Sequence, residues 1–292
     1  MTGSGGGMTS ENGHHDMHTI GVIYRERSTE AAMLAERLAH QLGDRGHEVW
    51  WAERDELSRI GKLLTKTNLA LVLGGDGTIL SVARLCAPLG IPILGINFGR
   101  VGFLTELEPD EVEEKIPLYL DGDYWIDERT MLHAEVEIDG ATHEFIALND
   151  IALVRGAEPR VIHIEIALDG YAYNTTTADG VIVSTATGST AYNLAAGGPI
   201  LHPQVRSSVI TPIAPHLAAD RSLILEPNTV ITLRLTDDST AAVLSADGQI
   251  NRDIAPGTQV TIRGNRHITR FLRRRSPTYF YRILSAKLRD NL

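Results

Sequence analysis

The segment Gly74-Gly75-Asp76-Gly77-Thr78 carries the strongest chemical signal in the sequence. It follows an apolar run and precedes a stretch with helical spacing, which predicts a turn from a buried strand into a helix. Glycine lets backbone N–H groups approach a phosphate closely, and the N-terminus of a helix favours an anion. We therefore predict a phosphate-binding turn in which Thr78 caps the helix, with a tight turn that binds no ligand as the alternative.

Asp76 is the unexpected residue of this segment, because a carboxylate repels phosphate groups. Two roles would justify its presence: it could accept the proton of an attacking hydroxyl, or it could help to hold a metal that bridges phosphates. Both roles indicate phosphoryl transfer. An aspartate that only caps the helix is the alternative.

Three further clusters follow other strand-like runs. Phe103 lies in a glycine-containing stretch, where it could stack on a base or fill the core. Asn149 and Asp150 interrupt an apolar run, and either ribose hydroxyls or an ordinary β-turn would satisfy these polar groups. Segment 179–192 ends a strand in small, hydroxyl-bearing residues that suit close contact with a polar ligand. The sequence around Ser189 lacks the Gly-x-Ser-x-Gly pattern of a serine hydrolase.

The elements around these clusters predict two domains. Alternating strands and helices over residues 19–123 predict a doubly wound α/β nucleotide-binding domain. Closely spaced strands with turn signals over residues 124–276 predict a mostly β, substrate-binding domain. Residues 1–18 have the composition of a disordered tail, and its histidines lack the preorganised surroundings of a metal site. Residues 277–292 are apolar enough to dock back on the first domain.

Composition and charge exclude several functional classes. The net charge of −10 argues against nucleic-acid binding, which requires phosphate neutralisation. The absence of a long apolar run, and of a signal-peptide pattern, indicates a cytoplasmic protein without a membrane association. The single cysteine, Cys86, excludes an intramolecular disulfide and lies in an apolar stretch typical of a packed thiol. Six arginines between Arg263 and Arg275 are most simply a solvated basic face; an anion site or a subunit contact is the alternative.

Together with Asp247-Gly248-Gln249, the four clusters resemble the NAD kinase family in order and separation, over about residues 19–284. The resemblance implies an α/β domain followed by a mostly β domain, as in NAD and diacylglycerol kinases. It implies transfer of a phosphoryl group from ATP to the adenosine ribose 2′-hydroxyl of NAD, giving NADP. Mg²⁺ or another divalent cation would arrive with ATP, since the sequence shows no dedicated metal site. The donor stays open between ATP and polyphosphate, and relatives are homo-oligomers, dimers or tetramers.

The resemblance also assigns roles to residues. Asp76 would orient and deprotonate the 2′-hydroxyl, Gly77 would keep the backbone clear of the substrate, and Phe103 would lie against the adenine. Asn149 and Asp150 would bind a ribose. The expected nucleotide site is completed by Asp179, Thr187, Thr190, Ala191, Tyr192, Asn193, Leu194, Ala195, Ala214 and Gln249, and Arg160 and Thr177 match positions that contact ligand or a neighbouring subunit in relatives.

The sequence departs from the family pattern at three positions. Asp150 stands where many relatives have Glu, which shortens the reach of the carboxylate. Ala186 replaces a common proline, and Ala195 replaces a common serine. None of these changes affects Asp76.

Two other functions share parts of this pattern. A lipid kinase of the diacylglycerol type has a similar glycine-rich loop, but the sequence shows no amphipathic membrane-binding helix and its acidity disfavours an anionic membrane. A non-catalytic dinucleotide sensor would bind NAD without transferring phosphate. An assay that offers both NAD and diacylglycerol distinguishes these alternatives.

Overall fold

Four parallel strands form the N-terminal part of the fold: β1 (Thr19–Tyr24), β2 (Glu48–Glu53), β3 (Leu69–Gly74) and β4 (Ile93–Asn97). The structure is a computed structural model that describes residues 18–99, 101–216 and 221–290. The strands run in the order β2-β1-β3-β4, and both β3 and β4 are buried along their whole length. This is the arrangement predicted from their uninterrupted apolar sequences.

Helices cover both faces of this sheet. They are α1 (Thr29–Asp44), α2 (Leu57–Leu64), α3 (Asp76–Cys86) and α4 (Val112–Leu120). Side chains of β3 alternate between the faces: Leu71 packs with α1 and α4, and Val72 packs with α2 and α3. Ser28 caps α1 through its Oγ, which accepts a hydrogen bond from the N–H of Ala31 at 3.3 Å. The predicted doubly wound α/β fold is confirmed.

Twelve strands form the β-rich part. They are β5 (Trp125–Ile138), β6 (Ala141–Ala147), β7 (Asp150–Arg155), β8 (Ile162–Leu168), β9 (Tyr171–Ala178), β10 (Gly180–Thr185), β11 (Ser208–Ile213), β12 (Leu223–Leu225), β13 (Ile231–Leu235), β14 (Ala242–Ala246), β15 (Ile250–Ile254) and β16 (Gln259–Arg273). One sheet has the order β12-β11-β10-β7-β14-β15, and the others join the first sheet. The inner faces of the two sheets share one apolar core.

Two hairpins in this part close at Asp-Gly pairs, as the sequence predicts. Asp139-Gly140 joins β5 to β6, and Asp169-Gly170 joins β8 to β9. All four residues have positive φ, between 50° and 80°. Tight hairpin turns require this conformation at both central positions, which glycine and aspartate tolerate.

Strand β16 connects the two parts. Its N-terminal half pairs with β13, and Phe271 near its end pairs in parallel with Ile93 of β4, while β5 pairs with nearly the whole length of the strand. The α/β sheet therefore continues into a ten-stranded sheet that includes β-rich strands. The predicted division between residues 123 and 124 falls in the connection between α4 and β5.

A short helix, α5 (Tyr192–Ala195), follows β10, and the C-terminal helix, α6 (Tyr279–Asp290), contacts both parts. The ring of Phe280 lies 5.8 Å from that of Phe103 and 5.3 Å from that of His202, and Ile283 is buried. Within the described ranges, no helix has the length and apolar character needed to span a membrane. Residues 1–17, most of the predicted disordered tail, lie outside the described residues.

Candidate active site

A cleft of about 850 Å³ lies beside the start of α3 and brings together many of the predicted residues. These are Asp76, Phe103, Asn149, Thr187, Thr190, Ala191 and Leu194. They come from the end of β3, the segment after β4, the bend between β6 and β7, and the segment after β10. α6 supplies much of the remaining wall. Separate parts of the sequence thus converge on one site large enough for a nucleotide.

Two backbone amides hold the Asp76 carboxylate in place. Its Oδ2 accepts a hydrogen bond from the N–H of Phe103 at 3.0 Å, and its Oδ1 accepts one from the N–H of Leu104 at 3.0 Å. The loop can approach this closely because residue 102 is glycine: a β-carbon at Gly102 would lie 2.0 Å from Asp76 Oδ1. The carboxylate is only partly buried and faces the cleft. A carboxylate has about four lone-pair sites, so two amide bonds leave capacity for a ligand hydroxyl.

The start of α3 differs from the prediction for Thr78. The N-cap is Gly75, in an extended conformation and without a side-chain cap, so the helix begins at Asp76 and Thr78 lies in its first turn. The prediction that Thr78 caps the helix is therefore wrong. A β-carbon added at Gly75 would meet nothing within 4 Å, and one at Gly77 would meet only Gln249 Nε2, at 3.8 Å. The two glycines leave open space at a helix end whose N–H groups favour an anion.

The bend at Asn149 and Asp150 is organised by Asp247. Asp247 Oδ1 accepts hydrogen bonds from the N–H groups of Asn149 at 2.7 Å and Asp150 at 3.2 Å, and Oδ2 accepts one from Leu148 at 3.1 Å. The two alternatives for Asn149 and Asp150, an ordinary β-turn and contact with ribose hydroxyls, therefore concern different groups of these residues. The backbone is satisfied within the protein, whereas the Asn149 side chain lines the cleft.

Burial and the nearby Asp247 charge raise the pKa of Asp150 to about 7. Burial also raises the pKa of Asp247, although the amide hydrogen bonds and the Arg84 charge oppose this shift. The two carboxyls are therefore close enough to disfavour double ionisation. At neutral pH, Asp150 can donate as well as accept a hydrogen bond, although it is only 4% exposed and does not line the cleft.

A polar bridge joins α3 to the β14–β15 turn. The guanidinium of Arg84 donates to Asp247 Oδ2 at 2.8 Å and to Gln249 Oε1 at 2.5 Å. Gln249 Oε1 also accepts from Ser81 Oγ at 2.8 Å, and its Nε2 donates to the carbonyl of Gly77 at 2.8 Å. Gln249, predicted to line the nucleotide site, is thus engaged in holding the glycine-rich turn against the β-rich part.

The segment after β10 places its predicted residues differently. Thr187, Thr190, Ala191 and Leu194 line the cleft. Asn193 is fully buried: its Nδ2 donates to the carbonyls of Ser189 and Pro199, and its Oδ1 accepts from Thr211. Asn193 therefore supports the loop, and its side chain does not face the cleft.

The other predicted residues of this group do not line the cleft of a single chain. Arg160, Ala195 and Ala214 are exposed. Thr177 Oγ1 lies 2.9 Å from His163 Nδ1, and Asp179 forms an ion pair of 3.0 Å with Arg155. Tyr192 is 43% exposed, and burial of its hydroxyl, with the charges of Asp150 and Asp179, raises its pKa.

A buried ionic network lies beneath the cleft. Arg129 donates to both carboxylate oxygens of Asp127, and its Nη1 donates to Thr187 Oγ1 at 3.3 Å. Arg273 bridges Asp127 and Glu106 at 3.4 and 3.3 Å. All four charged side chains are at most 7% exposed. The network joins β5 and β16 to the segment after β4.

This network corrects the expectation for the arginine run. Arg263 pairs with Glu135 at the surface, with a side chain that is 47% exposed, as a solvated basic face predicts. Arg273 is buried and paired, so that prediction is wrong for this residue. The expected packed thiol is found: Cys86 is fully buried, and burial raises its pKa.

The acidic groups of the cleft bear on metal binding. Asp76 is the only carboxylate among the described residues that line it. A single carboxylate fits a Mg²⁺ ion held mainly by substrate phosphates and water. In the described part of the chain, one cluster has metal-ligand spacing, His133 with Glu135 and Glu144, but its two carboxylates approach opposite nitrogens of the imidazole and it lies on β5 and β6.

Sequence reasoning missed three residues of this arrangement. The sequence assigns no role to Gly102 or Arg84, and it marks Asp247 only as part of the Asp247-Gly248-Gln249 motif. Each acts through a contact distant in sequence. The Asp-Gly pair at Asp247 was the one available signal, since it indicates a turn near the site.

The chain is similar to known proteins over nearly its whole length. A family model described as the ATP-NAD kinase N-terminal domain matches residues 58–124, and one described as the ATP-NAD kinase C-terminal domain matches residues 148–274. An NAD kinase of Dehalococcoides mccartyi is 40% identical over 274 residues, which are 93% of this chain and 96% of the relative. An NAD kinase of Heliobacterium modesticaldum is 37% identical, over 94% of this chain and 99% of the relative.

Solved structures give the same result. The crystal structure of an NAD kinase from Archaeoglobus fulgidus in complex with ATP has a TM-score of 0.74 at 25% identity, over 93% of this chain and 98% of that chain. A yeast NADH kinase complexed with NADH has a TM-score of 0.77 at 23% identity, over 91% and 86% of the two chains, and shows the shared fold. Because the relatives match nearly the whole chain at such identities, the chain belongs to the NAD kinase family, as its motifs predicted.

Proposed function

We propose that this protein transfers the terminal phosphoryl group of ATP to the 2′-hydroxyl of the adenosine ribose of NAD, forming NADP. The observation that carries the proposal is the Asp76 carboxylate, fixed by two amide hydrogen bonds of 3.0 Å at the cleft. A carboxylate oriented in this way can accept a hydrogen bond from a ribose hydroxyl. Relatives 36% to 42% identical to this chain, named NAD kinase, support the choice of NAD.

In the proposed reaction, the 2′-oxygen forms a bond to the γ-phosphorus, and the bond from that phosphorus to the β–γ bridging oxygen breaks. ADP leaves with the bonding electron pair, and the hydroxyl proton passes to Asp76. Because phosphoryl transfer is largely dissociative, Asp76 acts mainly by orienting the hydroxyl and accepts the proton late.

Other residues of the cleft would bind and orient the substrates. Asn149, whose side chain lines the cleft, would bind a ribose hydroxyl. Asp150 beside it is 4% exposed and does not line the cleft, but its carboxyl, with a pKa of about 7, can both donate and accept a hydrogen bond. Phe103 lines the cleft and would contact the adenine. A divalent cation that arrives with ATP would be held by its phosphates and by water, and would neutralise phosphate charge.

The Asp76→Asn variant tests this proposal. An amide cannot accept the proton, so turnover should fall by about 10²–10⁴-fold, while the dissociation constant for NAD stays within about threefold of wild type. Asp44→Asn, at the exposed end of α1, is the matched control. Unchanged turnover in Asp76→Asn would remove this residue from the mechanism.

A substrate panel separates the proposed activity from the alternatives. NAD, NADH and diacylglycerol are offered as acceptors, with MgATP or polyphosphate as donor. NADP formation with ATP is the expected result. Phosphorylation of diacylglycerol alone would indicate a lipid kinase, and NAD binding without turnover would indicate a sensor.

We also propose that the protein is a cytoplasmic homo-oligomer, a dimer or a tetramer. Support for an oligomer comes from β9, an edge strand of the ten-stranded sheet, on which Tyr171 and Tyr173 are 75% and 47% exposed. Thr177, which matches subunit-contacting positions of relatives, lies on the same strand. Light scattering after size exclusion would give the mass of the assembly, and a monomer at micromolar concentration would contradict the proposal.

A further inference from the structure

Two cationic side chains of α6, Arg282 and Lys287, line the same cleft as Asp76. Neither forms an ion pair with a carboxylate in the part of the chain that the structure describes. Both lie near aromatic rings: the Arg282 guanidinium is 5.9 Å from the centre of the Tyr279 ring, and Lys287 Nζ is 5.3 Å from the centre of the Phe103 ring. Both charges are therefore available to a ligand in the cleft.

What sets these two charges apart is that they line a cleft. The chain has a net charge of −10, and some surface arginines, such as Arg234 and Arg274, are paired with carboxylates. Unpaired cations that face a cavity attract anions, and the attraction is stronger where low-dielectric walls reduce screening. α3 begins at Asp76, which lines the same cleft, and the N-terminus of a helix favours an anion.

Lys287 is also linked to the catalytic carboxylate through one residue. Its ammonium group lies over the ring of Phe103, and the backbone N–H of Phe103 donates to Asp76. An anion bound by Lys287 would thus lie near the hydroxyl that Asp76 orients. The group that must be near that hydroxyl is the phosphate chain of the donor.

We propose that Arg282 and Lys287 bind the phosphate chain of the phosphoryl donor, so that α6 forms the donor subsite. The inference rests on the proposed function and names the residues that its donor contacts. Arg282 can bind phosphate oxygens in a bidentate manner, and Lys287 acts as a point charge. The pyrophosphate of NAD has the same chemistry, so the experiment measures donor and acceptor separately.

The test uses Arg282→Ala, Lys287→Met and the double variant in the full chain. Lys287→Met keeps the apolar stem that packs near Phe103 and removes the charge. Each single variant should raise the KM for MgATP by about fivefold to tenfold, with the KM for NAD changed less than about twofold. Inorganic tripolyphosphate should compete with ATP, and its inhibition constant should rise in parallel. Lys287→Arg should restore most of the affinity.

Arg289→Ala is the matched control, because Arg289 lies on the same helix, bonds Ser285 and does not line the cleft. Unchanged KM values for MgATP in the single and double variants would overturn the inference, as would an increase confined to the KM for NAD. If wild type does not phosphorylate NAD, the proposed function fails, and direct binding of tripolyphosphate still tests the subsite. Equal tripolyphosphate affinity of wild type and the double variant would then refute it.

Discussion

Gly102 offers the sharpest test of how Asp76 is held. In Gly102→Ala, the new β-carbon would lie 2.0 Å from Asp76 Oδ1 and 2.5 Å from its Cγ. Since non-bonded carbon and oxygen atoms need about 3.2–3.5 Å, the carboxylate or the loop must move by about 1 Å or more. The φ of Gly102 is not in the left-handed region, so the effect is steric and not conformational.

The displacement should break at least one of the two amide hydrogen bonds to Asp76. A misplacement of about 1 Å at a reacting group costs about 100-fold in rate, so kcat should fall by about that factor. The loss of one or two hydrogen bonds to a charged group that is partly solvated should cost about 1–3 kcal/mol and lower the Tm by several degrees.

The assay is steady-state formation of NADP with saturating MgATP and NAD, together with thermal unfolding. Gly61→Ala is the control, because its added β-carbon meets nothing within 4 Å. It should leave kcat unchanged and slightly raise the Tm, as expected for Gly→Ala in a helix. A Gly102→Ala enzyme with kcat within about threefold of wild type would refute the reasoning that the amide clamp positions the carboxylate.

Three further predictions follow from buried groups. Because the pKa of Asp150 is raised to about 7, the native chain keeps a proton that the unfolded chain releases near pH 4, and the free energy of unfolding of the wild type falls as pH rises from about 4 to 7. Asp150→Asn lacks this loss, so its free energy of unfolding should rise by up to about 4 kcal/mol relative to wild type between these limits, as measured by urea unfolding at both. Arg84→Ala leaves the fully buried Asp247 carboxylate without its cation and should cost about 3 kcal/mol, whereas Arg37→Ala, an exposed pair, should cost less than about 1 kcal/mol in the same measurement. Cys86 should react with a thiol reagent only after unfolding, as followed by mass spectrometry.

Much of the fold could be predicted because its signals are local. Apolar runs at β3 and β4 indicate strands covered on both faces, and the Asp-Gly pairs fix two hairpins. The end of β16 could not be placed in the α/β sheet, because a parallel pairing with β4 joins residues far apart in sequence and leaves no periodic trace. The buried state of Arg273 was missed for a similar reason: its partners Asp127 and Glu106 lie on other segments.

The sequence by itself determined the glycine-rich turn and the order of the motifs, and it led to the prediction that Asp76 accepts the proton, because residue type and position after a strand are sufficient for these. Only the tertiary structure decided that Gly102 lets two amides clamp Asp76, that Gln249 and Asn193 are engaged within the protein, and that α6 closes the cleft with two cations. These features depend on distances between segments that are remote in the chain. Side-chain partners across such separations are set by packing, which no local pattern encodes.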